Sequence, residues 1–178
     1  MDDISRKLGI SKKTLYQYVK DKEDLLSGAV EMFNEYEEQQ LAALYDKGLN
    51  AIEENLEIKK WAVTMLKNLH PSVTYDMKKF HPTIFHKLIE RRQEFMYRSA
   101  YDNLIKGQKE GVYRTDLNAD VIAKLFIGKM EVMFDEVLFP SDTYSAPDVY
   151  MEWFVYHIHG IATPKGIEIL NKSIKNIK

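Results

Sequence analysis

The spacing of apolar residues along the chain is helical almost throughout. Near the N-terminus, Ile4 and Leu8 are separated by one helical turn, and so are Leu15 and Val19. This spacing places each pair on one face of an α-helix. Gly9 lies between the two pairs and suits a tight interhelical turn, because glycine tolerates positive φ. We predict a short helix that ends before Gly9 and a second helix that is capped by the next serine and continues through Val19.

The remainder of the chain predicts longer helices that pack as a bundle. A helix capped by Asp21 is expected to run to about residue 46, with an apolar stripe toward the core. Further helices are expected over 51–69, 72–80 and 82–110, and another begins after 116–118. The fold class is therefore all-α. The stripe predicted to be buried in the first of these helices consists of Leu25, Ala29, Met32, Phe33 and Tyr36.

Two later segments are apolar on more than one helical face. Residues 125–139 read LFIGKMEVMFDEVLF and residues 149–161 read VYMEWFVYHIHGI, whereas a surface helix has one apolar stripe about 100° wide. We interpret one face as core and another as contact with a second copy of the chain, as in two-fold homodimers. Two core helices in a monomer are the alternative. The predicted interface residues are Phe134, Val137, Leu138, Tyr150, Trp153, Phe154 and His157.

Composition narrows the class of protein. Hydrophobic residues make up 45% of 178 residues, and glycine and proline are few, which favours packed helices over a β-sandwich. The absence of cysteine excludes disulfides and thiolate metal sites. No apolar run has the length of a membrane span, and no signal-peptide core is present at the N-terminus. We expect a cytoplasmic protein without a membrane partner.

Basic charge is concentrated in the first 22 residues. They hold six basic and three acidic side chains, although the net charge of the whole chain is −2. Such a concentration is typical of phosphate-binding segments. The polar positions of the second helix are Lys, Thr, Gln and Tyr, whose side chains suit the base edges and phosphates of a DNA major groove. A capped helical hairpin with a solvated basic face is the alternative.

Residues 10–26, ISKKTLYQYVKDKEDLL, resemble the recognition helix and linker of tetracycline-repressor (TetR) type regulators. The resemblance lies in the capping serine, the Thr-Leu-Tyr run and the later Lys-Glu-x-Leu. It implies a helix-turn-helix head over 1–26, which includes the start of a connecting helix. It also implies a ligand-binding and dimerisation domain over 27–178 that pairs through an intermolecular four-helix bundle. The family's head has three helices, and the first would lie upstream of Met1; we expect the native protein to contain it.

The head supplies the predicted DNA contacts. Lysine suits the acceptor pair of guanine, glutamine suits adenine, and the threonine methyl suits thymine. Tyr16, Tyr18 and Lys22 are assigned to phosphates, and the family resemblance best supports Tyr16 and Lys22. The full predicted DNA-binding set is Ser11, Lys12, Lys13, Thr14, Tyr16, Gln17, Tyr18 and Lys22.

Aromatic and methionine side chains recur through the body at helical spacing. Each one alone is more often plain core, but together with the TetR resemblance they predict an apolar pocket between helices. We expect an apolar or aromatic effector with one polar or charged group. The predicted ligand-binding residues are Trp61, Met65, Phe80, Phe85, His86, Tyr97, Phe126, Met130 and Met133.

The chain lacks recognisable catalytic or metal-binding motifs. His157 and His159 are two residues apart on a predicted helix and so point to different faces. His81 and His86 lack the H-E-x-x-H spacing. Nucleophile-elbow, phosphate-loop and dinucleotide motifs are absent. We expect no metal, no cofactor and no enzymatic activity.

These inferences predict a ligand-responsive, homodimeric repressor whose partners are double-stranded operator DNA, a second copy and a small-molecule effector. Effector binding would change the tilt of the long helix that begins near Lys22, and with it the separation of the two heads. The alternative, from another class, is a helical dimeric protein-interaction module with a degenerate head that does not bind DNA.

Overall fold

The computed structural model describes residues 1–68, 71–133, 135 and 137–175. These residues confirm the all-α fold class. None of their helices combines the length and the apolar character that crossing a bilayer requires. The helices are α1 (Asp2–Leu8), α2 (Lys12–Leu15), α3 (Lys22–Tyr45), α4 (Ala51–Asn68), α5 (Pro71–Phe80), α6 (Pro82–Lys109), α7 (Ala119–Val132), α8 (Ala146–Ile161) and α9 (Pro164–Lys175).

Helices α1 and α2 form a hairpin around Gly9, which has a φ of 68° at the end of α1. Leu15 is buried beneath the hairpin, whereas Ile4 and Val19 are half-buried and Leu8 is 60% exposed. Helix α2 has a single turn, and the chain continues in tight turns to Val19. The predicted longer second helix is therefore wrong: after Leu15, the amides of Gln17 and Tyr18 bond three residues back instead of four.

Helix α3 begins where the sequence predicts, but it buries a different face. The Asp21 carboxylate caps it by accepting the backbone N–H of Asp24 at 2.8 Å. Of the predicted stripe, Leu25 is half-buried, whereas Ala29, Met32, Phe33 and Tyr36 are exposed. The residues that α3 buries are Asn34, Glu37 and Leu41. The inward face of α3 is therefore mixed: Asn34 and Glu37 lie between the half-buried Leu26 and Val30 on one side and Leu41 on the other.

The main core lies among α4, α6, α7, α8 and α9. Its most deeply buried side chains include Ile52, Tyr113, Ile158 and Leu170. Helix α9 is absent from the sequence-based prediction, yet it packs Leu170 into this core. Its Gly166 lies so close to the chain before α7 that a Cβ there would be 2.2 Å from the carbonyl oxygen of Val112.

Helix α7 ends at Val132, earlier than the predicted limit of residue 139. The Asp135 carboxylate accepts the backbone N–H groups of Val137 and Leu138 at 2.8 and 3.2 Å. This local turn competes with helix continuation, because the side chain satisfies amides that would otherwise bond within a helix. Val137 and Leu138 consequently lie in an exposed turn.

Candidate DNA-binding head and effector cavity

The helical hairpin presents its predicted DNA-binding residues to solvent. The Ser11 hydroxyl caps α2 by accepting the Thr14 N–H at 3.0 Å, and the two hydroxyl oxygens are 2.7 Å apart. Thr14 is half-buried. The other seven predicted residues are exposed: Ser11, Lys12, Lys13, Tyr16, Gln17, Tyr18 and Lys22. The head thus presents one basic, hydrogen-bonding and aromatic surface, which stays a predicted DNA contact.

Lys12 is already paired within the head. Its Nζ lies 3.0 and 3.1 Å from the two carboxylate oxygens of Asp2 on α1. The hydrogen bond and the charge of Lys12 lower the pKa of the Asp2 carboxyl, and the same contact raises the pKa of Lys12. A phosphate or base contact by Lys12 would therefore require the loss of its pair with Asp2, whereas Lys13 has no ion pair among the described residues.

The junction between head and body is fixed by two aspartates. Asp21 caps α3, and the Asp24 carboxylate accepts the backbone N–H of Lys20 at 2.8 Å. Lys22 is the first residue of α3 and is exposed beside these caps, where the positive end of the helix dipole also attracts phosphate. One unbroken helix of 24 residues then leads from the head into the body.

A cavity of about 540 Å³ lies between α3, α4 and α6 and is partly open to solvent. Small-molecule sites span roughly 300–1,000 Å³, so its size suits an effector. Tyr45 of α3 and Phe95 of α6 contribute aromatic rings to the lining. The Tyr45 hydroxyl lies 2.6 Å from the Ser99 hydroxyl, and burial raises the pKa of the Tyr45 phenol.

Charged side chains supply much of the remaining lining. Carboxylates come from Glu38 of α3, Glu54 of α4 and Asp102 of α6, and cations come from Arg98 and Lys106 of α6. Lys106 reaches the buried Glu54 carboxylate at 2.5 Å. Apolar surface still makes up the larger part of the lining, so the cavity combines an apolar wall with charged groups set into it.

A buried polar network that forms part of the cavity wall joins α4 to α6. The Asn103 amide donates to Glu54 at 2.8 Å and to the carbonyl of Ala51 at 3.0 Å. Asn55 donates to the Asn103 amide oxygen at 2.7 Å and to the Tyr113 hydroxyl at 2.9 Å. Burial raises the pKa of Tyr113 far above its usual value. Satisfied buried networks of this kind rigidify a core, so the cavity has a fixed base.

Ion pairs join α3 to α6 along the rest of their contact. Glu37, 8% exposed, accepts from Arg92 at 3.0 Å, and burial raises its pKa against the opposing effect of Arg92. Arg91 reaches Glu31 at 2.5 Å and Glu38 at 2.9 Å. These contacts make the position of α3 relative to α6 depend on directional polar bonds next to the cavity.

The residues predicted to bind the effector do not line this cavity and are spread over four helices. Trp61 and Met65 are half-buried on α4, and the Trp61 indole N–H has no hydrogen-bond partner among the described residues. Tyr97 donates to Asp120 at 2.7 Å. The other predicted residues are Phe80 and His86, which are exposed, Phe85, Phe126 and Met130, which are half-buried, and Met133, which is buried.

The predicted dimer residues occupy three kinds of position. Tyr150 and Phe154 lie in the protomer's own core, where they leave almost no surface for a partner. Trp153 and His157 stack at 5.6 Å in an aromatic cluster with Phe126, and burial, with the charge of Lys129, lowers the pKa of His157 to about 4. Val137 and Leu138 are exposed, and Phe134 lies outside the described residues.

A different apolar stripe is exposed on α7. Val121, Leu125 and Val132 are about half exposed, and Gly128 lies between them on the same face. On α8, Tyr156 is 69% exposed and Gly160 follows it one turn later. Both glycines have open space where a Cβ would project. These six residues are called the α7–α8 face below.

The head, the connecting helix and the helical body together have the architecture of a helix-turn-helix regulator. No protein-family model matches the chain. The chain is 26% identical over 140 residues to an uncharacterised helix-turn-helix-type transcriptional regulator, YvaF, of Bacillus subtilis (strain 168). That similarity covers 76% of this chain and 70% of the relative.

Solved structures show the same fold. A regulator from Saccharomonospora viridis in complex with choline has a TM-score of 0.66 at 19% identity, covering 91% of this chain and 86% of that one. A gamma-butyrolactone receptor (ArpA-like protein) has a TM-score of 0.63 at 13% identity, covering 98% and 83%. The ketosteroid regulator KstR2 of Mycobacterium tuberculosis has a TM-score of 0.58 at 18% identity, covering 90% and 83%. The chain therefore has the TetR-type fold, as the family resemblance predicts.

Proposed function

We propose that this protein is a ligand-responsive transcriptional repressor of the TetR type, acting in the cytoplasm on operator DNA without enzymatic activity or a cofactor. The observation that carries the proposal is the exposed surface formed by α2 and the turns after it. Contacts of Asp21 and Asp24 fix this segment to the start of α3. A basic surface held by a rigid helix suits a duplex, because phosphate contacts position the protein and base contacts specify the sequence.

The same proposal includes a homodimer formed through the α7–α8 face. Val121, Leu125 and Val132 form an exposed apolar stripe, and Gly128 and Gly160 allow a second backbone to approach closely. A second copy is the favoured occupant because TetR-like regulators dimerise and two-fold pairing matches the two half-sites of an operator. This face replaces Tyr150 and Phe154 as the proposed area of contact.

The cavity between α3, α4 and α6 is the proposed effector site. Its walls include Glu38 and Tyr45 of α3, the helix that begins at the head. An effector that binds one arrangement of α3 more tightly than another shifts the population between them. The α3–α6 ion pairs of Arg91 and Arg92 are the bonds that such a shift would rearrange. The three structural relatives are a ketosteroid transcriptional regulator, a gamma-butyrolactone receptor and a regulator in complex with choline. These names support small-molecule control.

The experiment that tests DNA binding compares the salt dependence of operator affinity in Lys13→Ala and Lys172→Ala. Lys172 is exposed on α9 and distant in sequence from the head. Loss of one phosphate contact at Lys13 is expected to reduce the slope of log affinity against log salt by about 1, with no change for Lys172→Ala. Equal slopes in the two variants would contradict the role assigned to α2.

The dimer is tested by light scattering after size-exclusion chromatography. Leu125→Asp places a charge in the α7–α8 face and is expected to yield monomers. Val73→Asp, on an exposed apolar position of α5, is the matched control and should remain dimeric. A monomeric wild-type protein, or a dimeric Leu125→Asp, would refute the proposed interface.

A further inference from the structure

The charges around the cavity between α3, α4 and α6 are not balanced. Both lining cations already hold carboxylates: Arg98 pairs with Glu94 at 2.5 Å, and Lys106 pairs with Glu54 at 2.5 Å. Glu38 accepts from Arg91 at 2.9 Å. Asp102 also lines the cavity and has no ion-pair partner among the described residues. The lining holds three carboxylates against two cations, so its net charge is negative.

Two aromatic rings share the cavity with this exposed carboxylate. Tyr45 and Phe95 line the same cavity as Asp102, and aromatic faces attract cations through the negative side of the ring. The Tyr45 hydroxyl is occupied by Ser99, so the phenol contributes mainly its ring. A cavity lined by an unpaired carboxylate and two aromatic rings favours a small organic ammonium ion over an anion.

We propose that the effector cavity binds a small organic cation, with Asp102 as its counter-charge and Tyr45 and Phe95 as its aromatic walls. This inference rests on the proposed function, because it names the ligand class of the proposed effector site. It replaces the expectation of an apolar ligand. Since Tyr45 belongs to α3 and Asp102 to α6, one bound cation contacts both helices whose relative position controls the head.

Three probes of nearly equal shape and different charge test the ligand class by isothermal titration calorimetry on the full chain. They are choline, its uncharged carbon isostere 3,3-dimethylbutan-1-ol, and the anion 3,3-dimethylbutanoate. Choline is expected to bind more tightly than the alcohol, and the alcohol more tightly than the anion. Equal affinity for choline and the alcohol, or no binding of choline, would overturn the proposal.

Charge variants locate the site. Asp102→Asn is expected to weaken choline binding about five- to tenfold, the loss of one partly screened charge contact, and to leave the alcohol unaffected. Arg98→Gln removes a lining cation and is expected to strengthen choline binding. Asp76→Asn makes the same charge change on an exposed α5 position and should change nothing.

The same titrations separate this inference from the proposed function. Equal effects of Asp102→Asn and Asp76→Asn would overturn the assignment of the cation to this cavity. Operator affinity of the unliganded protein, measured in parallel, does not depend on the ligand class. If the unliganded protein binds operator DNA but choline does not bind to it, only the proposed ligand class is refuted. If the unliganded protein does not bind operator DNA, the proposed regulator function is refuted.

Discussion

Gly107 provides a stringent test of the packing that supports the cavity. It lies in α6 under the ring of Tyr113, and a Cβ at this position would be 2.0, 2.5 and 2.7 Å from three ring carbons. The ring cannot withdraw easily, because Tyr113 is 1% exposed and its hydroxyl accepts from Asn55 and donates toward Asn103 and Ala51.

We expect Gly107→Ala to destabilise the protein. Overpacking a filled core costs about 1–3 kcal/mol, and replacing a helical glycine by alanine returns about 0.5–1 kcal/mol. The net loss therefore lies between about 0 and 2.5 kcal/mol, with a middle value of about 1 kcal/mol. For a chain of this size each kcal/mol lowers Tm by about 2–4 °C, so a fall of up to about 10 °C is expected in thermal unfolding followed by circular dichroism.

Gly28→Ala is the matched control, since Gly28 is in the interior of α3 and nothing lies within 4 Å of its missing Cβ. It is expected to raise stability by about 0.5–1 kcal/mol. In a Tyr113→Leu background, the cost of Gly107→Ala should shrink, because the obstructing ring is gone. If Gly107→Ala were as stable as Gly28→Ala, the assigned packing of α6 against Tyr113 would be refuted.

Three further predictions concern pH, capping and the head. The pKa of His157 is lowered to about 4 in the folded protein, against 6.5 in the unfolded chain. Because the unfolded chain binds more protons between these pH values, the free energy of unfolding should fall by up to about 3 kcal/mol from pH 7 to pH 4. Urea unfolding of His157→Gln should show a flatter pH profile, and an unchanged profile would contradict the burial of a neutral imidazole. Asp21→Ala removes the cap of α3 and should cost about 1 kcal/mol, while Asp46→Ala at the other end of α3 should be nearly neutral in the same melts; equal losses would argue against the cap. Asp2→Asn releases Lys12 and should tighten duplex binding in mobility-shift titrations, whereas weaker binding would show that the ion pair shapes the head.

Local signals predicted most of the helix boundaries. Asp21 begins α3, Pro82 begins α6 and Gly111 ends it, as expected from capping and backbone geometry. The missed helix α9 carried a usable signal, since Ile167, Leu170 and Ile174 share one helical face. These features depend on residues close in sequence, which is why they can be predicted.

The buried polar positions on the inward face of α3 could not be predicted from hydrophobic spacing. Met32 and Phe33 are exposed, whereas Glu37 is buried because Arg92, far along the chain, supplies its partner. Apolar periodicity contains no information about such a pairing. The charged groups of the cavity were missed for the same reason: Glu54 and Asp102 line one cavity only after α4 packs on α6.

The most direct test of the regulator assignment is selection of bound duplexes from a random DNA pool. The account predicts enrichment of an inverted repeat whose half-site centres lie about 34–36 Å apart, one helical turn, or a multiple of that distance. It also predicts that affinity for the selected duplex falls steeply with salt. Recovery of no enriched sequence, with no salt-dependent binding, would contradict the account and favour a helical dimer whose head binds protein.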